Sequence, residues 1–258
     1  MPEKDLQDYI SAAKDRIVFT VTNSGNSVLA LNLALSAQRH QIEVGVLDLN
    51  GRQPRQLPAG IEWMTHKNPR YPLAIARSQS RRAMPITKSG FGPLAWSRYP
   101  AIREVLEAGL EAIYLDTDVV VRGEFVDRIT EELQNSSIDG AVQTNTRGEA
   151  CTGILAFHPR SLDSFRQVFS DASLERHGAA EMRGLFDQDF FNRVVLNPSR
   201  PLLRMSMLEE SRFPTGIRWY ATASQDSERA LLVHYNGVIG VQDKIQKMRE
   251  HGDFFVKK

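Results

Sequence analysis

Cysteine is almost absent. Cys151 is the single thiol among 258 residues, which excludes an intrachain disulfide framework and fits a reducing compartment. An excess of either charge is absent too: 32 Lys and Arg stand against 31 Asp and Glu, a formal net charge of +1. No long-range field therefore points to nucleic acid or an anionic membrane as a partner. There is no apolar run of transmembrane length, and Met1 to Asp15 are too polar for a signal peptide or anchor, so a soluble, cytoplasmic protein is expected. Internal repeats, low-complexity tracts and linkers are missing as well, which leaves one continuous domain over residues 1–258.

What remains is globular material, 41% hydrophobic and 24% charged, enough at this length to bury a full core. Arg16 to Val21 reads as a buried strand, Thr22 to Asn26 as a polar turn and Val28 to Gln38 as an apolar helix. Glu43 to Leu47, closing on Asp48, is a second strand, and this order predicts an α/β fold with a mostly parallel sheet. Residues 69–92 lose periodicity and collect Arg, Lys, Ser, Pro and Gly, as a lid would; Arg77, Arg81 and Arg82 there form a solvated face or contact an acceptor or phosphate. Leu94 to Ala108 has helical spacing, with Gly109 placed to cap it. Further on, Gly140 to Gln143, Gly153 to Phe157, Leu202 to Met205 and Leu231 to Tyr235 read as strands. Leu162 to Phe169, Asp187 to Val194 and Val241 to His251 read as helices.

The chemistry concentrates where the strand Ala112 to Leu115 runs into Asp116-Thr117-Asp118 and then Val119 to Val121. If the strand continues, its alternation puts both carboxylates on one face. Acids between apolar neighbours are costly unless a cation or hydrogen-bond donor compensates. Asp118 can offer oxygens to a hard divalent cation while Asp116 reaches a ribose hydroxyl or a metal-bound water. The carboxyl end of a strand is also where open α/β sheets bind ligands.

Three more segments follow in order: Thr152-Gly153-Ile154, then Asp187-Gln188-Asp189-Phe190-Phe191-Asn192, then His234-Tyr235-Asn236 with Gly240 and Lys244. Together with Asp116-Thr117-Asp118 they resemble the D-x-D, N-[TS]-G, D-Q-D-x-x-N and H-x-N plus G-x-x-x-K segments of the GT-A nucleotide-diphospho-sugar transferases. The likeness is to the retaining plant-type xylosyltransferase and galactosyltransferase group and, more distantly, to glycogenin, over about Arg16 to Asp253. Two positions depart from the pattern: Cys151 stands where the family commonly has Asn, and Arg98 or Arg103 where it often has Lys.

The resemblance implies a GT-A-like three-layer α/β/α sandwich, with a nucleotide-binding half over about 16–121 and a sugar and acceptor half over about 122–258. It implies that Asp116, Asp118 and His234 hold Mn2+ or Mg2+, and that Arg98 and Lys244 face the diphosphate of a nucleotide-sugar donor. Thr20, Thr22, Asn23 and Asp48 would meet the nucleobase and ribose, with uracil favoured by the family alone, and Asp116 the ribose. Gln188 would sit on the β-face of the anomeric carbon, with Asp187 and Asp189 against sugar hydroxyls or the acceptor. The implied reaction moves the sugar to a glycan or other hydroxyl with retention of configuration.

Plainer roles compete. Asp187 can be an N-cap, Asp48 a turn former, His234 a core residue and Lys244 a solvated one. Trp96, Trp219 and Tyr220 can stack on an acceptor sugar or simply pack. A haloacid-dehalogenase-type phosphatase shares the D-x-D, but the motif here lies mid-chain and Gly252-Asp253 lacks a second acid. A non-catalytic nucleotide-sugar-binding protein is the other alternative.

Overall fold

Strands that are apolar on both faces make the centre of the molecule, as expected where helices cover a sheet on each side. The computed structural model describes residues 4–50, 54, 57–65, 95–174, 187–226 and 228–257. The expected lid at 69–92, with Arg77, Arg81 and Arg82, lies outside the described residues, as does Leu94. The strands are β1 (Arg16–Thr22), β2 (Gly45–Asp48), β3 (Trp63–Thr65), β4 (Glu111–Leu115), β5 (Val119–Val121), β6 (Gly140–Thr144), β7 (Ala150–Phe157), β8 (Met205–Leu208) and β9 (Leu232–His234). Seven form one sheet in the order β3-β2-β1-β4-β7-β6-β8. Its pairings are parallel except for those of β7, which runs against both β4 and β6.

The helices are α1 (Leu6–Ala12), α2 (Ser27–Gln38), α3 (Arg98–Glu107), α4 (Val126–Gln134), α5 (Leu162–Val168), α6 (Asp187–Phe190), α7 (Gly216–Asp226) and α8 (Val241–Glu250). Strand alternation divides the core between two layers. Ile17, Phe19 and Val21 of β1 pack with Tyr99, Ile102, Val105 and Leu106 of α3 and with Phe165 of α5. Val18 on the other face packs with Leu33 and Ala37 of α2 and Ile129 and Leu133 of α4. The result is the expected three-layer α/β/α sandwich. A small antiparallel sheet of β5 and β9 lies against α2, where the Val121 amide donates to Ser36 Oγ at 3.0 Å.

Local chemistry explains the boundaries. Gly109 closes α3 with φ +79°, and the amides of Gly109 and Leu110 donate to the carbonyls of Leu106 and Val105, the double bond of a Schellman cap. α1 starts in a reciprocal capping box between Asp5 and Asp8. It was not anticipated from its polar composition, and β3, α4 and α7 were not anticipated either. The strand expected at Leu202 to Met205 forms instead at Met205–Leu208. Leu203 is buried in the core, and the Arg204 carbonyl accepts from Asp139 and Gly140, so the parallel ladder with β6 begins at Met205.

Candidate active site

The D-x-D does not extend its strand. β4 stops at Leu115, the Val119 amide bonds back to the Asp116 carbonyl at 3.0 Å, and β5 leaves for the small sheet. A turn, rather than strand alternation, therefore brings Asp116 and Asp118 together. Pairing of Val119 with His234 across β5 and β9 sets the histidine beside them. The ring rests on bare backbone: a Cβ on Gly153 would lie 2.0 Å from His234 Cε1. Gly153 is exposed to this contact because β7 slips against β6 between Val142↔Leu155 and Gln143↔Cys151, which sets Thr152, Gly153 and Ile154 opposite a single step.

His234 Nε2 lies 3.3 Å from Asp118 Oδ1 and 3.6 Å from Asp116 Oδ2. One ligand atom from each of these residues falls within 4.8 Å of the others, and two carboxylates with an imidazole suit a divalent cation such as Mn2+ or Mg2+. Lys244, from the first turn of α8, bonds Asp118 Oδ2. Burial pushes the Asp118 carboxyl up, but Lys244 and His234 outweigh it and hold the group well below the usual carboxylate range. Burial alone would discharge His234; Asp118, with a contribution from Cys151, instead raises its pKa to about 10.

Arg98, 3% exposed at the start of α3, organises the adjoining wall. Its guanidinium donates to the carbonyls of Ala95 and Thr152 and lies 3.2 Å from Asp116 Oδ1 and 3.5 Å from Asp187 Oδ2. It also stacks over Tyr114 at 4.9 Å, and the Tyr114 hydroxyl donates to Asp116 Oδ1 at 2.7 Å. Arg103 turns away to pair with Asp171 at 2.8 Å, so of the two arginines only Arg98 serves the site. Asp187 is helical within α6 instead of flanking it as a cap, and its Oδ2 accepts from Tyr99 and Thr152 hydroxyls at 3.2 and 3.1 Å. Past Phe190 the helix widens into a π turn at Phe191–Val195. There Asn192 clamps both backbone groups of Ala150 and the Gln188 carbonyl, which fixes Gln188 and Asp189 against β7.

These groups share one cleft of about 680 Å³, lined by Asp116, Asp118, Arg98, Asp187, Gln188, Asp189, His234 and Lys244. Cys151, Thr152, Gly153 and Tyr114 line it too, as do Val21, Gly25, Asn26, Val28 and Leu29 and the segment from Asn236 to Asp243. Thr20, Thr22, Asn23 and Asp48 are buried behind that lining. Asn23 Oδ1 accepts from the amides of Gly25 and Asn26, and Asp48 Oδ1 from Asn50, so they shape the loops beside the cleft. Trp96 and Trp219 are buried packing residues, and Trp219 donates to the Tyr235 hydroxyl. Tyr99, Tyr114, Gln143 and the segment from Gly237 to Ile239 were missed from sequence. Tyr114 had a readable signal, since it precedes Asp116 by two residues on a strand; Gln143 had none.

A family model for nucleotide-diphospho-sugar transferases matches residues 62–248. Comparison with curated proteins gives no match. Among solved structures, the glycosyltransferase GlyE of Streptococcus pneumoniae TIGR4 shares 15% identity at a TM-score of 0.55, over 94% of this chain and 62% of that one. The galactosyltransferase LgtC, solved with donor and acceptor sugar analogues, shares 12% identity at 0.55, over 93% and 97%. Mouse xyloside xylosyltransferase 1 in its apo form shares 12% at 0.54, over 87% and 98%. The chain thus spans less than two thirds of GlyE and nearly all of the other two, and at these identities the likeness is one of fold. With the family match covering most of its length, the chain belongs to the nucleotide-diphospho-sugar transferases and has their GT-A-type fold.

Proposed function

We propose that the protein transfers a sugar from a nucleoside-diphosphate donor, a UDP-sugar by family resemblance, to a hydroxyl of a glycan or other acceptor, with retention of configuration. The observation that carries this reading is the meeting of Asp116, Asp118 and His234 within 4.8 Å on the wall of the cleft that also holds Gln188. Asp116, Asp118 and His234 would hold Mn2+ or Mg2+, which supplies Lewis-acid stabilisation to the leaving diphosphate. Lys244 adds a positive charge on the same side. Arg98 acts by orienting Asp116 and Asp187 more than by meeting phosphate, because both carboxylates already engage it.

Stereochemistry follows from what lies opposite the leaving group. Gln188 is a carboxamide and a poor nucleophile, and Asp187 is occupied by two hydroxyls and Arg98, so neither favours a covalent intermediate. Instead the acceptor oxygen bonds to the anomeric carbon from the side on which the carbon–phosphate oxygen bond breaks, and its proton passes to the departing diphosphate. Gln188 supports the positive charge on the sugar from the other face, with Asp189 against sugar or acceptor hydroxyls. The half over about 16–121 takes the nucleotide, with backbone around Thr20, Thr22, Asn23 and Asp48 near the base, and the half over about 122–258 shapes the sugar and acceptor sites. A cytoplasmic location belongs to the same reading. The haloacid-dehalogenase alternative falls with the family match.

The test is turnover of UDP-sugars with Mn2+, followed by NMR of the first anomer formed on transfer or slow hydrolysis. The donor's own configuration is expected, with turnover abolished by chelator. Inversion, or turnover indifferent to chelator, would contradict the proposal.

A further inference from the structure

Gln143 is fully buried at the end of β6, beside the register slip against β7, and no step of the chemistry above uses it. Its two amide ends have different partners. Nε2 donates to the Phe213 carbonyl at 2.9 Å, and Oε1 lies 2.9 Å from His234 Nδ1. A carbonyl can only accept, so the end facing Phe213 must be the NH2 end, and the end facing His234 must then be the carbonyl oxygen. Reversing the amide would set oxygen against oxygen at Phe213 and a donor against the Nδ1 proton. Against that oxygen Nδ1 has to carry hydrogen. The lone pair left for a cation is on Nε2, the nitrogen that faces Asp116 and Asp118. Cys151 Sγ, 3.5 Å from the same Nδ1, accepts an Asn236 amide bond at 3.4 Å and reinforces this polarity.

We infer that Gln143 is a positioning residue: tied to the Phe213 carbonyl, it fixes the tautomer and ring plane of His234 so that Nε2 presents its lone pair to a divalent cation. The inference rests on the reading of His234 as a metal ligand. It gives Gln143 the part that a carboxylate or backbone carbonyl plays behind many metal-binding histidines. Phe213 is firmly placed for this purpose, because its own amide bonds the Glu209 carbonyl and the neighbouring Pro214 carbonyl accepts from the His234 amide. Gly153 lets the ring of His234 pack flush against bare backbone, where a Cβ would strike it, and the in-plane hydrogen bond to Gln143 then fixes which ring nitrogen carries the proton.

The test combines Mn2+ titration with side-chain NMR of 15N-histidine-labelled protein. In the metal-free wild type, a hydrogen-bonded His234 Nδ1–H resonance is expected, assigned by its loss in His234→Gln. Gln143→Leu should lose that resonance and bind Mn2+ about 10- to 100-fold more weakly while keeping a cooperative melt. Gln143→Glu keeps an acceptor for Nδ1–H but not the donor to Phe213. It should retain the resonance and Mn2+ binding while melting at lower temperature, and it carries the test alone if the leucine variant does not fold. A folded Gln143→Leu that binds Mn2+ like wild type, or a Gln143→Glu that loses Mn2+ binding, overturns the inference. A wild type that shows the Nδ1–H resonance yet binds no Mn2+ overturns the metal reading beneath it, and the inference with it.

Discussion

Proton and metal compete for His234. Its pKa near 10 in the folded, metal-free protein exceeds the value of 6.5 for a free histidine, so the charged ring stabilises the fold fully below about pH 6.5 and that stabilisation is lost as pH rises through about 10. A cation on Nε2 has to displace that proton. Mn2+ affinity should therefore climb with pH across the neutral to alkaline range, by up to about tenfold per unit, with protons released on binding. Titration calorimetry in buffers of different ionisation enthalpy reads both effects; a flat profile between pH 6 and 9 would argue against the histidine as ligand. Tyr114 supplies a second residue-scale prediction. Its hydroxyl is a buried donor to Asp116, so Tyr114→Phe should weaken Mn2+ or donor binding by about tenfold, the effect of one hydrogen bond to a charged group, with little change in melting temperature. The meeting of Asp116, Asp118 and His234 was legible through the ordered motifs of the family resemblance, since residue type alone left His234 equally a core histidine. Gln143 and Tyr99 were not, because a buried amide or phenol in a strand or helix carries no sign of the partner that the fold will give it.

Elements were legible where their own ends carry the signal. Gly109 marked the end of α3 because a positive φ is needed there, and a Cβ at Gly109 would meet nothing within 4 Å. Gly109→Ala should accordingly destabilise by about 1–2 kcal/mol through backbone conformation alone, read as a lower melting temperature with metal binding intact. Gly153→Ala has a different signature, since its Cβ would strike the His234 ring; metal binding should be lost in a protein that still melts cooperatively. The parity rule for Asp116 and Asp118 reached the right neighbourhood by the wrong geometry. It assumed one continuous strand, whereas β5 is drawn into a separate pair with β9, a segment distant in sequence. β8 was misplaced for a related reason: Leu202 and Leu203 are as apolar as a strand, but the ladder is dictated by Gly140 at the start of β6 and Asp139 just before it. In α4, Ile129 and Leu133 are buried four residues apart, a helical spacing that was present in the sequence and overlooked.

The C-terminal segment ties distant parts of the chain together, so the chain is expected to unfold as one unit. Asp253 accepts from Arg122 beyond β5 and from Tyr235 after β9 at 2.6 Å, while its carbonyl takes the Asn32 side-chain amide of α2 at 2.9 Å. Asn32 in turn accepts from the Phe255 amide at 2.6 Å. Asp253→Ala removes two hydrogen bonds to a buried carboxylate and should cost about 3 kcal/mol in denaturant unfolding, as one transition rather than two. The cleft shows the same interdependence: Arg98 and Asp116 come from the first half, Asp187, Gln188, His234 and Lys244 from the second, and the site exists only where they meet. The most direct measurement of its role is calorimetric titration of the protein with a panel of UDP- and GDP-sugars, in Mn2+ and again in chelator, repeated on Asp118→Ala and His234→Ala. Binding of one donor that requires Mn2+ and disappears in both variants is the expected result. Equal binding in chelator, or unchanged metal-dependent binding in both variants, would contradict a donor site built on Asp116, Asp118 and His234.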